Sequence, residues 1–224
     1  LETRLPGTQV IVWLVDYPEF FNFPGNPYVD EQGNAWANTA ERFALFCRIA
    51  VEVAMNRGYL DWTPDIVHCN DWQTGLIPLF IKDNYNWDRL FDKTATVFTI
   101  HNIGYQGRFS KSTMFAAEIR GDLYYPNGPV EYEDSVSFMK TGIVFSDIIN
   151  TVSNKYSHEI LTEEYGAGLN KILHSRKKDV YGILNGVDYE EWNPETDKFL
   201  PYKFSIKDLS GKTKNKKFLM DHFN

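Results

Sequence analysis

The residues with the clearest chemical potential follow one short apolar run. Residues 95–100 read ATVFTI, and their β-branched and aromatic side chains predict a single buried parallel strand. Polar and aromatic residues able to bind a ligand come next: His101, Asn102, Tyr105 and Gln106. Ligands of open α/β sheets bind beyond the carboxyl ends of the strands, so this cluster lies where a site is expected. The alternative is a polar turn whose histidine has all its hydrogen bonds satisfied.

A second polar cluster follows the predicted strand at residues 65–69 (DIVHC). Asn70, Asp71 and Trp72 stand between this strand and a predicted helix over residues 75–82. The free N–H groups and partial positive charge of a helix N-terminus favour a carboxylate at that point. Asp71 is therefore either an N-cap, the commonest role of aspartate there, or part of a binding site.

A third strand end has the same character. Residues 180–184 (VYGIL) predict a strand, and Asn185 opens the turn that follows. Because parallel strands end at one edge of their sheet, Asp71, His101 and Asn185 are expected at the same edge. Taken singly, each has a structural interpretation: an N-cap, a satisfied histidine and a turn asparagine.

Strands and helices alternate along the chain. Strands are predicted at residues 9–16, 65–69, 95–100, 148–152 and 180–184, the first of them buried. Helices are predicted at residues 37–57, 75–82, 113–119, 135–146, 153–166, 169–175 and 208–223. The core face of the first helix is predicted as Phe43, Phe46, Ile49, Ala50, Val53 and Ala54, with Gly58 at the stop position. This order predicts an α/β fold, a doubly wound, Rossmann-like parallel sheet with helices on both faces. The long loop over residues 17–33 is expected to be functional rather than idle.

Composition excludes several classes of protein. The 224 residues carry a net charge of −7, which argues against binding a nucleic-acid backbone. No apolar run reaches the length of a membrane span, and the first residues lack the features of a signal peptide. Cys47 and Cys69 are expected to be inert core thiols, which fits a reducing cytoplasm, and no zinc-ligand spacing is present. The chain begins without Met and with a predicted strand, which suggests a piece of a longer polypeptide.

Six motifs occur in an order typical of one enzyme family. They are PGNPY at residues 24–28, DIVHxxDW at 65–72, TVFTIHNIGYQG at 96–107, FxKxGI at 138–143, NTVS at 150–153 and ILNGVDxxxWNPETD at 183–197. On these motifs the chain resembles the bacterial glycogen synthases and plant starch synthases, glucosyltransferases of the two-lobed GT-B architecture. The resemblance implies transfer of glucose from a nucleotide sugar, with ADP-glucose expected, to the non-reducing end of an α-1,4-glucan with retention.

The same resemblance implies roles for particular residues. His101 is expected beside the transferred glucose, where it helps to stabilise positive charge at the anomeric carbon. Asp71 is expected to contact the sugar or acceptor. The remaining predicted substrate-binding residues are Tyr28, Asn102, Tyr105, Gln106 and Asn185. No cofactor or metal is implied, because the nucleotide sugar is a substrate, and the expected location is the cytoplasm, or a plastid if the source is a plant.

The sequence also departs from the family pattern. Many members read HDWH where this chain reads Asn70-Asp71-Trp72-Gln73. The KTGGL loop and the Arg, Lys and Glu of the C-terminal lobe do not occur in these residues. Residues 1–188 are therefore predicted to be a partial N-terminal catalytic domain, and residues 189–224 an interlobe linker and the start of the missing C-terminal lobe. The chain alone is expected to have little or no transferase activity, and a non-catalytic glucan-binding module is the alternative function.

Overall fold

A computed structural model describes residues 1–24, 26–57 and 60–223 of the chain. Its strands are β1 (Glu2–Arg4), β2 (Ile11–Trp13), β3 (Ile66–Asn70), β4 (Ala95–Ile100), β5 (Arg108–Phe109), β6 (Glu131–Tyr132), β7 (Ser135–Ser137), β8 (Ile148–Thr151) and β9 (Val180–Gly182). Its helices are α1 (Pro18–Phe21), α2 (Thr39–Ala54), α3 (Leu76–Leu79), α4 (Thr113–Ala116), α5 (Phe138–Phe145), α6 (Asn154–Glu159), α7 (Asn170–Ser175) and α8 (Ser210–Phe223). Gly25 of the PGNPY motif and Gly58, the predicted helix stop, lie outside the described residues.

The central sheet is parallel. Its order is β3-β4-β8-β9, and each neighbouring pair runs in the same direction. The predicted α/β class is confirmed, and β4 occupies the residues predicted for it. A smaller antiparallel sheet, β5-β7-β6, lies just beyond the loop that follows β4 in the chain.

Helices pack on one face of the central sheet. Cys69, Phe98 and Ile149 lie at matching positions of β3, β4 and β8, and all three are fully buried. A Cβ added to Gly142 of α5 would come within 2.5 Å of the Phe98 ring, so α5 rests directly on this face. On the opposite face, Ile66 remains 60% exposed. This close packing holds the carboxyl ends of β3, β4 and β8 in fixed positions, so residues that follow these strands start from a rigid base.

Two predicted elements were wrong. Residues 9–16 do not form a buried strand of the central sheet, because only Ile11–Trp13 is a strand and it pairs antiparallel with β1. Ile11 of that hairpin is 46% exposed. Residues 135–146 were predicted as one helix, but Ser135–Ser137 is β7, and the hydroxyl of Ser137 caps α5 by accepting a hydrogen bond from the N–H of Lys140.

Three predicted helices differ in detail. Helix α2 is confirmed, but its predicted core face is only half-buried apart from Ala54, and the buried stripe is displaced to Ala44, Cys47, Val51 and Ala54. The helix predicted over residues 75–82 consists of α3 and a π-helical turn at Phe80–Asn84, and a 3-10 turn at Trp72–Thr74 precedes it. Helix α6 ends at Glu159 rather than near Gly166, although Ser153 is its N-cap as predicted.

The chain divides into two compact units, Leu1–Leu184 and Asn185–Asn224. The second unit contains α8, whose predicted bounds are nearly those observed. The identification of residues 1–188 with a catalytic domain and of residues 189–224 with a linker and second lobe stays a prediction.

The cysteines are free and buried, as predicted. Burial raises the pKa of the Cys47 thiol to about 12 and also raises the pKa of Cys69. In the part of the chain that the structure describes, no helix has the length and apolar character needed to cross a membrane.

Candidate active site

Asp71 and His101 meet at the carboxyl edge of the central sheet. Strands β3 and β4 are parallel, with Asn70 opposite Thr99, so the residues that follow both strands emerge side by side. The backbone N–H of His101 donates a hydrogen bond of 2.8 Å to Oδ1 of Asp71. The structure therefore brings together the two residues predicted to be catalytic.

The backbone of Asp71 has an unusual conformation. Its φ of 55° and ψ of −175° lie in a region that favours glycine and costs other residues about 1–3 kcal/mol. The N–H of Asp71 is held by the carbonyl of Thr99 at 2.9 Å. Its side chain makes no capping hydrogen bond to the helical turn that follows, so the N-cap interpretation is wrong. The carboxylate is instead held by the neighbouring strand end.

The imidazole of His101 is oriented by a residue that the sequence analysis did not assign to the site. Nε2 of His101 lies 3.0 Å from Oδ1 of Asn70. Because that amide oxygen can only accept, the contact places a proton on Nε2 of the ring. The sequence could have indicated this contact, because residues 70 and 101 lie at the carboxyl ends of two strands that were both predicted to belong to one parallel sheet.

The loop after His101 is shaped by two close contacts. Oδ1 of Asn102 accepts a hydrogen bond of 2.9 Å from the N–H of Gly104, which closes the turn. Gly107 has a φ of 55°, and a Cβ at this position would lie 2.3 Å from the indole ring of Trp72. A side chain at residue 107 would therefore displace Trp72. Because residue 107 is glycine, the backbone of the loop after β4 can pack directly against the Trp72 ring.

These residues enclose a cavity of about 490 Å³, which we call the inner cavity. It is lined by Tyr28, Asp71, Trp72, Gln73, Asn102 and Tyr105. Four of these were predicted site residues, and His101 adjoins the cavity through its hydrogen bond to Asp71. Nε2 of Gln73 donates to the hydroxyl of Tyr28 at 2.7 Å, an additional contact that sequence reasoning missed.

Gln106, another predicted substrate-binding residue, does not line the inner cavity. Gln106 is 9% exposed, and its Nε2 donates to the carbonyl of Ala167 at 2.8 Å, so its amide ties two loops together. It lines a second cavity of about 840 Å³, which we call the outer cavity. Asn185 begins the second unit, and its place in the site stays a prediction.

The groups around the inner cavity suit a neutral, hydroxyl-rich ligand. Asp71 supplies a carboxylate, Asn102 an amide, and Tyr28 and Tyr105 expose flat rings that are 45% and 69% accessible. Aromatic faces pack on apolar sugar faces while the polar groups bind hydroxyls. Within the described residues, no cluster of three His, Cys, Asp or Glu side chains could hold a metal ion.

Comparison with known proteins identifies the family of this chain. Residues 2–175 match a family described as the starch synthase catalytic domain. The chain belongs to the starch synthase catalytic-domain family. Glycogen synthase 1 of Methylococcus capsulatus is 45% identical over 223 residues, and the glycogen synthase of Thioalkalivibrio sulfidiphilus is 44% identical over the same length. The family predicted from the motifs is confirmed.

A solved starch synthase has a similar fold. The catalytic domain of starch synthase IV from Arabidopsis thaliana, bound to ADP and acarbose, is 36% identical with a TM-score of 0.68. The match covers 92% of this chain and 40% of that chain. The matches to the Methylococcus and Thioalkalivibrio enzymes cover 100% of this chain but 44% and 45% of those proteins. This member of the starch synthase family thus spans somewhat less than half the length of its curated relatives.

Proposed function

We propose that this chain forms part of a glycogen or starch synthase. The reaction is transfer of glucose from a nucleotide sugar to the non-reducing 4-hydroxyl of an α-1,4-glucan, with retention at the anomeric carbon. The observation that carries the proposal is the hydrogen bond of 2.8 Å between Asp71 and the backbone of His101, set beside a cavity with exposed tyrosines. The glycogen synthases at 44–45% identity support the same activity.

The chain's residues would act by fixed charge and orientation. Asp71 places a carboxylate at the strand edge, where it favours positive charge that develops at the anomeric carbon and accepts a sugar hydroxyl. Asn70 holds the His101 ring in one orientation, with the proton on Nε2. These groups are set by the backbone of β3 and β4, so little reorganisation is needed as the transition state forms.

The acceptor would lie against the aromatic side chains. Tyr28 is held by Gln73, and Trp72 is held by Gly107, so both rings are fixed before a glucan arrives. A fixed ring loses little conformational entropy when it binds a ligand. Tyr105, the most exposed of the three, would cover one face of the sugar.

The donor is proposed to be ADP-glucose. The ADP bound to the Arabidopsis relative supports an adenine nucleotide. No Arg or Lys lines the inner cavity in the described residues, so cations for the leaving diphosphate would come from the rest of the parent protein. On this basis the 224-residue chain alone is expected to transfer little or no glucose.

Glucose incorporation into glycogen by the full-length parent protein tests the proposal. ADP-glucose and UDP-glucose would be compared, beside a His101→Ala variant and the 224-residue chain. The anomeric configuration of the product, read by NMR, decides retention. Incorporation that depends on one donor and collapses in the variant is expected.

The glucan-binding module is the competing function, since the exposed tyrosines would serve it equally well. A folded parent protein that transfers from neither donor yet binds maltooligosaccharides would overturn the synthase proposal in its favour. Incorporation by the 224-residue chain alone would contradict the proposed need for the rest of the protein.

A further inference from the structure

The outer cavity adjoins the inner one. The two cavities share Tyr28, Trp72 and Tyr105 as common walls. The outer cavity is the larger, at about 840 Å³ against about 490 Å³. A chain-like ligand seated in the inner cavity would therefore pass these shared walls and enter the outer one.

The outer cavity has further aromatic walls that are held in place. Trp36 packs on Phe23 with ring centroids 4.8 Å apart, and its indole N–H donates to the carbonyl of Asn26. Phe109 packs on Trp72 at 5.7 Å. Such walls continue the surface formed by Tyr28 and Tyr105, and they suit the apolar faces of successive sugar rings.

A charged pair stands at the edge of the outer cavity. Arg108 and Glu133 form a salt bridge of 2.8 Å, and their side chains are 39% and 63% exposed. The guanidinium lies 5.0 Å from the centre of the Tyr132 ring, and its Nε donates to Ser135. Planar donors and acceptors in this arrangement can bind the paired hydroxyls of a sugar.

The turn that presents this pair has an unusual backbone. Glu133 and Asp134 connect β6 to β7 with φ values of 47° and 60°, a conformation usually taken by Asn-Gly. The buried carboxylate of Glu131 pins the turn by accepting hydrogen bonds from the N–H groups of Asp134 and Asn127. The turn thus holds the long side chain of Glu133 at the cavity edge, although its positive φ would suit glycine or asparagine better.

We infer that the outer cavity binds the glucan acceptor beyond the sugar unit in the inner cavity, with the Arg108–Glu133 pair contacting its hydroxyls. This inference rests on the proposed function. A phosphate-bearing ligand fits the outer cavity poorly, because its arginine is already paired with Glu133 and Asp134 adds a second carboxylate to the same turn. A neutral polyhydroxylated chain has no such conflict.

Acceptor length tests the inference in the full-length parent protein. KM and kcat would be measured with maltose, maltotriose, maltopentaose and maltoheptaose for the wild type and for Glu133→Asn. Asparagine tolerates positive φ, so this variant keeps the turn while it removes the long carboxylate. Asp92→Asn, in the exposed Arg89–Asp92 pair, is the matched control.

In the wild type, KM should fall as the acceptor lengthens. In Glu133→Asn, KM for maltoheptaose should rise about 3- to 10-fold, the effect of one or two lost hydrogen bonds, with KM for maltose and for the donor unchanged. The control should behave as the wild type. An equal change at every acceptor length, or none at any length, would overturn the inference while leaving the synthase activity intact. No transfer by the wild type would instead overturn the proposed function.

Discussion

Oδ1 of Asp71 accepts a hydrogen bond of 2.8 Å from the backbone N–H of His101, so one carboxylate connects the ends of β3 and β4. The bond fixes the path of the chain as it leaves β4. It also engages one carboxylate oxygen with the protein. The other is left to face a ligand, since Oδ2 makes no hydrogen bond within the residues that the structure describes.

Substitutions at Asp71 should separate the structural role from the chemical one. Asp71→Asn keeps an oxygen for the N–H of His101 but removes the charge, so the free energy of unfolding should change by less than about 1 kcal/mol. Activity of the full-length protein should fall about 100-fold or more if Asp71 acts as proposed, because a fixed charge at the proposed reacting centre is lost. Urea unfolding and glucose incorporation measure the two effects.

Asp71→Ala is the companion variant. It loses the hydrogen bond as well as the charge, and stability should drop by about 1–2 kcal/mol beyond that of Asp71→Asn. Equal activity in Asp71→Asn and the wild type would show that the charge has no part in the reaction.

Asn70 should act on activity through the His101 ring. In Asn70→Ala the proton is no longer held on Nε2, and kcat should fall about 10-fold, the effect of one lost orienting hydrogen bond. Nitrogen chemical shifts of the His101 imidazole should show a single tautomer in the wild type and a mixture in the variant.

Asn70→His is the conservative variant, because a ring nitrogen of the new histidine can accept the same hydrogen bond from Nε2–H of His101. It should recover most of the lost kcat and restore the single tautomer. If the ring shifts of Asn70→Ala match those of the wild type, Asn70 does not position His101.

Gly107→Ala should disturb both folding and acceptor binding. The new Cβ would lie 2.3 Å from the Trp72 ring at a φ of 55°, so the ring or the loop must move, at about 1–3 kcal/mol. Because Trp72 lines the inner cavity, KM for the glucan should rise as well. Thermal unfolding and acceptor kinetics check the two parts.

Gly121→Ala is the matched control. A Cβ at residue 121 meets nothing within 4 Å, and this glycine has an ordinary φ. It should leave stability and KM close to wild type. A stable Gly107→Ala variant with unchanged KM would show that Trp72 is not held by this contact.

Asp147 should give the fold a pH-dependent contribution. Burial by itself would raise the pKa of this carboxyl, but hydrogen bonds from Lys82 and from the N–H and hydroxyl of Thr96 lower it below its ordinary 3.8. The contribution is therefore complete above pH 3.8 and is lost as the pH falls through the lower folded-state pKa.

Asp147→Asn should be about 1–2 kcal/mol less stable than the wild type at pH 7, a modest figure because the side chain is partly exposed to solvent. The difference should shrink below about pH 4 in urea unfolding across this range, as the wild-type carboxyl takes up its proton. Asp92→Asn, in an exposed pair, should show little difference at either pH. A gap between Asp147→Asn and wild type that stays constant down to pH 2 would contradict this assignment.

The sequence predicts a buried element correctly where the neighbouring residues in the chain define its ends. Strand β4 begins and ends at the predicted residues because its apolar run is bounded by polar residues on both sides. The segment over residues 9–16 has a similar apolar run, yet it pairs with Glu2–Arg4 in an exposed hairpin. Burial of such a run depends on which strands lie beside it, and composition does not specify them.

The site was predictable in position but less so in its internal contacts. Strand ends and motif residues indicated Asp71 and His101 correctly as neighbours, since parallel pairing follows from the alternation of elements. The N-cap alternative for Asp71 failed because its backbone turns away from the helical turn that follows. The amide of Gln106 donates to the carbonyl of Ala167, 61 residues further along the chain, and neither composition nor strand order specifies that contact.

The backbone of Asp71 has a consequence for how this protein can change over time. Glycine would fit its φ of 55° more easily, but Asp71→Gly would also leave the N–H of His101 without its acceptor and would raise the conformational entropy of the unfolded chain. The same change would delete the carboxylate that joins β3 to β4. Change at residue 71 is therefore limited in two ways, because a side chain there strains the backbone and its removal breaks the contact between the two strand ends.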